Sequence, residues 1–212
     1  MAVFTDDFNR ADAADLGANW TEVGTHFAII SSNKCQCLVS NKDGFVYPTA
    51  FNPAAGMYAQ LKMVTFGAVS HGFGCLLSQG STVNKVNGYI LKLQGTDYTN
   101  MQLIKAVDWS YYYTTGTLLG AAAMPSNGDI VRLECIAGVG QKVYINGVEK
   151  ISTSDTTYTT GKAGLTGSSA GGAFPWYDDF EAGDWPLPGG GGGGSPFRIG
   201  SEGIWNRGMG HP

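Results

Sequence analysis

Charge is scarce in this sequence. Only 14% of its 212 residues are Asp, Glu, Lys or Arg, where an ordinary globular domain has about 25%. Glutamate is confined to Glu22, Glu134, Glu149, Glu181 and Glu202. A helical bundle or coiled coil needs a surplus of Ala, Glu, Lys and Leu, so both are excluded. There is no basic run: the 13 Lys and Arg are scattered and the net charge is −4. Nothing here neutralises a row of phosphates, which excludes nucleic acid as a partner. No apolar run approaches the roughly 20 residues that cross a bilayer, so no membrane span is expected. The opening, Met1-Ala2-Val3-Phe4-Thr5-Asp6-Asp7-Phe8, has neither a positive nor an apolar export region. The chain is therefore expected to be made and folded in a cytosol.

Cysteine and histidine are also few. Cys35, Cys37, Cys75 and Cys135 could form two disulfides, but with no export signal they read as buried thiols. Cys35 and Cys37 share a face if they lie on a strand, and Cys135 is in phase with Val131 and Leu133. His26, His71 and His211 have no zinc-ligand spacing.

What is abundant is glycine, with 32 residues, and aromatic residues, at 12%. Together they suit many short strands joined by tight turns. The apolar content, 43%, excludes global disorder. Strands are expected at 4–8, 27–31, 35–40, 44–47, 57–66, 71–78, 88–94, 101–107, 129–137, 162–166 and 176–180. One helical turn is allowed at 11–16. Along 129–137, Val131, Leu133 and Cys135 point inward while Arg132 and Glu134 point to a wet face. The sharpest local signal is Val143-Tyr144-Ile145-Asn146-Gly147-Val148-Glu149-Lys150-Ile151. It is two alternating runs around an Asn-Gly pair, which suits a type I′ hairpin turn. The sum is an all-β, two-sheet antiparallel sandwich over residues 1–185.

Composition changes after Trp185. Gly189 to Gly194 are consecutive glycines, followed by Phe197, Ile199, Ile204 and Trp205. The glycines read as a flexible tether. The apolar side chains beyond it are costly to leave in water, and too few to form a core. Residues 186–212 are therefore expected to be a Gly-rich extended tail that anchors on a neighbouring subunit. Packing on its own domain is the alternative.

Asp6-Asp7-Phe8-Asn9-Arg10-Ala11-Asp12, Leu16-Gly17 and Trp20 resemble the opening of laminin-G-like, or concanavalin A-like, domains. Met101-Gln102-Leu103-Ile104-Lys105, Gly128-Asp129-Ile130-Val131-Arg132-Leu133-Glu134, Val143-Tyr144-Ile145-Asn146-Gly147-Val148, Gly161-Lys162-Ala163-Gly164-Leu165 and Tyr177-Asp178-Asp179-Phe180 follow in that family's order. The resemblance covers residues 3–185. It implies a jelly-roll sandwich with the first and last strands adjacent, so that the two Asp-Asp-Phe segments lie close. Such domains occur in bacterial surface proteins and phage particles, which implies a role on a virion, or alternatively at a cell surface.

Glucanases of this fold carry Glu-x-Asp-x-x-Glu on one strand, placing two carboxyl groups across the sugar bond. No glutamate here lies in that motif, so no catalytic residue is expected. Relatives often hold one Ca²⁺ near the last strand, and Asp178 and Asp179 match that position, with Asp6 or Asp7 as neighbours. The plain alternative is that these carboxylates guard strand edges. Independently of the resemblance, Trp109, Tyr111, Tyr112 and Tyr113 form an aromatic run. Three successive tyrosines cannot all point inward, so at least one ring is expected to be presented to a glycan or partner protein. Trp20 and Phe180 read as core.

Overall fold

The computed structural model describes residues 2–24, 28–37, 44–52, 56–65, 71–82, 85–93, 100–109, 116–136, 138–167 and 176–185. The regular elements among them are all strands. They are β1 (Val3–Asp6), β2 (Trp20–Gly24), β3 (Ala28–Ser31), β4 (Lys34–Cys37), β5 (Gly44–Pro48), β6 (Gly56–Thr65), β7 (His71–Gln79) and β8 (Val86–Lys92). Then follow β9 (Asn100–Trp109), β10 (Gly116–Ala123), β11 (Ile130–Ile136), β12 (Gly140–Ile145), β13 (Val148–Thr153), β14 (Lys162–Gly167) and β15 (Trp176–Asp184).

One sheet of eight strands runs β13-β12-β11-β6-β15-β4-β3, with β1 also paired to β15. The other runs β10-β9-β8-β7-β14-β5-β2. The pairings in both are antiparallel. The core fills the space between the sheets. Leu61, Met63, Val131, Leu133 and Cys135 enter it from one side, and Phe73, Cys75, Tyr89, Leu91 and Leu165 from the other. Each large apolar side chain buried there contributes about 1.5–3 kcal/mol.

The hairpin forms where Asn-Gly places it. Asn146 and Gly147 have φ of 49° and 79°, the left-handed values that a type I′ turn requires. The termini also meet as the resemblance implies: Asp6 pairs with Phe180 and Val3 with Gly183. The Asp6 carboxylate explains the opening motif. It accepts hydrogen bonds from Arg10 Nη1 at 2.6 Å, Trp20 Nε1 at 2.7 Å and the Phe8 amide at 2.8 Å. Around that hub the Trp20 ring packs against Phe4 at 5.3 Å and Phe180 at 5.0 Å, centroid to centroid. Trp20 and Phe180 are core residues, as expected.

Several expectations need correction. Residues 11–16 form no helical turn; Ala13 exchanges backbone hydrogen bonds with Ile30 instead. Strands β2 and β10 form where the sequence pattern gives no strand signal. Strand β10 is rich in Ala and Gly, which carry weak strand signals, and its register slips between Leu118 and Gly120. Arg132 and Glu134 do sit opposite the core face of β11, yet they are only 3% and 1% exposed. Their face is not wet. Arg132 Nη2 and Glu134 Oε1 pair at 2.8 Å, and the Arg132 guanidinium lies 4.9 Å over the Tyr144 ring. A charge on a sheet's outer face is tolerated at this depth only when paired.

Candidate functional site

Strand β9 ends in a bulge. Val86 pairs with Trp109 but Gly88 pairs with Ala106, which leaves one extra residue on β9. Asp108 takes up that distortion with a φ of 47°, a conformation Asp tolerates better than most residues. Bulges of this kind re-aim a side chain at the end of a sheet. Here the Asp108 carboxylate turns to the β7–β8 connection. Its Oδ1 accepts from the Ser81 amide at 2.6 Å, and its Oδ2 faces Lys85 Nζ at 4.0 Å. The Asp108 amide donates to Asn87 Oδ1 at 2.7 Å. Hydrogen bonds from Ser81 hold the Asp108 carboxyl below its ordinary range, with Lys85 adding to the effect. Glycine at position 80 leaves room for it, because a Cβ there would crowd Asp108 Oδ1 and Lys85 Cβ. The result is an ionised acceptor with a cation and an amide donor around it. Such a set hydrogen-bonds to hydroxyl groups without needing to react with them.

The aromatic run begins at this point, and its members divide. Trp109 is 2% exposed, in an apolar cluster with Phe45, Leu77, Val86, Ile90, Ile104 and Ala106. Ile90 lies between core residues Tyr89 and Leu91, and Ile104 beside Leu103, so this cluster occupies the other face of the seven-stranded sheet. Trp109 therefore supports the end of the sheet and offers no open ring, which corrects its reading as a ligand contact. Tyr111, Tyr112 and Tyr113 lie outside the described residues. Asp108 was overlooked in the sequence; its signal was an Asp immediately before the aromatic run, where a strand must end.

Asp178 and Asp179 lie at a second bulge, where β15 changes its partner from β4 to β1. Asp179 has a φ of 47°. Its amide donates to Asp178 Oδ1, and its carboxylate faces Lys62 Nζ at 3.6 Å. Burial, then repulsion from Asp179, pushes the Asp178 carboxyl up. Calcium takes six to eight oxygen ligands. Among the described residues no three His, Cys, Asp or Glu side chains gather to hold a metal. Asp6, the suggested neighbour, is committed to Arg10 and Trp20, and Asp7 to the Asn9 amide. The donor set thus fits a bulge better than a cation. Phe197, Ile199, Ile204 and Trp205 lie outside the described residues.

Two further polar groupings matter. Burial pushes Glu134 up by more than Arg132 and Tyr144 pull it down. A raised carboxyl is what a general acid needs, but at 1% exposure no substrate reaches it. At the rim of the sandwich Tyr89 Oη and Lys105 Nζ donate to Asp155 at 2.6 and 2.7 Å. Partial burial works against the Asp155 charge, but the bonds from Lys105, Tyr89 and Thr157 prevail and hold it well below the carboxylate range.

No protein-family model and no curated protein matches this sequence. Solved structures do. A carbohydrate-binding module of Bacillus subtilis, CBM66, aligns with a TM-score of 0.52 at 16% identity, over 74% of this chain and 91% of its own. The Emp47p carbohydrate recognition domain aligns at 0.55 and 13% identity, over 85% and 93%. The fold is a concanavalin A-like jelly roll. The apo form of Crh5 transglycosylase shares it, at 0.56 and 13% identity, over 87% and 85%. At these identities the concanavalin A-like likeness extends to the fold and no further. Among the described residues no helix is long and apolar enough to cross a membrane.

Proposed function

We propose that this chain is a non-catalytic, glycan-binding jelly-roll module carried on a virion and tethered there by residues 186–212. The observation that carries the glycan reading is the Asp108 bulge. It presents an ionised acceptor, Lys85 and the Ser81 backbone at the end of a sheet; Tyr111, Tyr112 and Tyr113 follow three to five positions later in the sequence. Carboxylate and amide groups beside aromatic rings suit sugars, whose hydroxyl edges need acceptors and whose faces stack on rings. The carbohydrate-binding module and the carbohydrate recognition domain of similar fold support the same class of ligand. A glycan array with wild type, Asp108→Ala and Tyr112→Ala, each with and without chelator, tests it. Binding is expected in wild type, unchanged by chelator and lost in both variants. Silence of the wild type across the array sinks the glycan reading.

The virion role rests on the tail. Phe197, Ile199, Ile204 and Trp205 are apolar anchors beyond a glycine tether. Deletion of 189–212 is expected to abolish co-sedimentation with assembled particles while leaving glycan binding intact. Wild-type occupancy of the truncated chain would favour a free lectin at a cell surface instead.

A further inference from the structure

Cys75 and Cys135 come from opposite sheets. Cys75 is on β7 of the seven-stranded sheet and Cys135 on β11 of the eight-stranded one, and both are fully buried. Cys75 Sγ lies 3.6 Å from the carbonyl oxygen of Leu133, the residue one side-chain step from Cys135 on the same face of β11. Burial first, and then the nearby Cys75 thiol, push the Cys135 thiol up, which places the two groups in one neighbourhood of the core. Strands β7 and β11 come within 8 Å of each other, Cα to Cα, whereas stacked sheets usually lie about 10 Å apart. Small side chains at both positions suit that close approach, which a disulfide between the sheets needs. Cys35 is elsewhere, on β4 opposite Tyr177 and Ile30.

We propose that Cys75 and Cys135 form a disulfide staple between the two sheets when the chain folds in an oxidising compartment. The oxidant is a small disulfide such as oxidised glutathione. One cysteine thiolate attacks it, forms a mixed disulfide and expels one glutathione thiolate. The second cysteine then attacks the protein-side sulfur, closes the Cys75–Cys135 bond and expels the second glutathione. Two protein thiols are oxidised and one small disulfide is reduced to two thiols. Burial, and the neighbouring thiol, push Cys135 up. Exchange is therefore slow in the closed native state, and the bond forms while the sheets are still coming together.

The test uses the full chain, refolded from denaturant either in a glutathione redox buffer or under full reduction. The products are alkylated with N-ethylmaleimide in denaturant and mapped by mass spectrometry. After oxidative refolding, two of the four thiols should be missing, and the peptide holding Cys75 should be joined to that holding Cys135. The link should persist in Cys35→Ser and vanish in Cys135→Ser. If Cys135→Ser fails to fold, the map of the unaltered chain decides alone. Closing a loop of about 60 residues should shift the unfolding equilibrium by roughly a thousandfold, read as a higher urea midpoint for the oxidised form. Four free thiols after oxidative refolding overturn the proposal. So does a bond mapped to Cys35 and Cys37, or a correct link that lowers the midpoint.

Discussion

Replacing Asp6 by Ala removes the acceptor that joins the first strand to the core. Three donors lose their partner: the Trp20 indole N–H, the Phe8 amide and the Arg10 guanidinium. The indole is buried with its ring, so leaving its N–H unsatisfied costs about 1–3 kcal/mol. The part-buried Phe8 amide adds about 1 kcal/mol by the same reasoning. Arg10 is more than a third exposed, and its share after solvent screening is about 0–1 kcal/mol. The total is about 2–5 kcal/mol, set against the 5–15 kcal/mol that holds a typical domain together. Urea unfolding followed by tryptophan fluorescence reads it directly. With a slope near 2–3 kcal/mol per molar, the midpoint should fall by about 0.7–2.5 M at unchanged slope. Asp6→Asn keeps one acceptor and should lose about half as much. Asp7→Ala, which frees only the exposed Asn9 amide, should lose less than about 0.5 kcal/mol. A loss below about 1 kcal/mol in Asp6→Ala would show that the motif is held by ring packing alone.

Other consequences can be checked separately. Trp109→Ala should destabilise by about 3–5 kcal/mol, as large-to-small changes in a packed cluster do; unchanged stability with lost glycan binding would restore Trp109 as a ligand contact. Folded Glu134 keeps its proton to a higher pH than the unfolded chain does, so stability should fall as pH rises from about 4.5 through that raised pKa. Glu134→Gln should flatten this dependence in urea titrations run at several pH values. Asp155 behaves oppositely: its depressed pKa gives stability that is present above pH about 4 and lost on acidification, and Asp155→Asn should remove that acid limb. Burial, with the bond to Asp155, pushes Tyr89 up to about 12, so stability should fall between pH 10 and 12. A Tyr89→Phe chain that loses stability over the same alkaline range would refute that assignment.

The elements legible in the sequence share a cause. Asn146-Gly147 fixes its own turn because the left-handed backbone is a property of those two residues. Val131, Leu133 and Cys135 face the core because alternation is built into a strand. The aromatic run is visible in the sequence too, but not that Trp109, its first ring, is packed away.

Composition and local pattern thus determined the all-β class, the hairpin, most strands and the inward face of β11. Tertiary structure alone decided that Arg132 and Glu134 are buried, that Trp109 is packed away, and that Asp108 and Asp179 sit at bulges. It also brought Cys75 against β11, the strand that carries Cys135 60 positions further along the chain. Pattern along a strand specifies which side a residue faces, because that depends on the residue's own backbone. What covers that side, and which distant side chain meets it, depends on neighbouring strands and the opposite sheet, and no local run of residues encodes those.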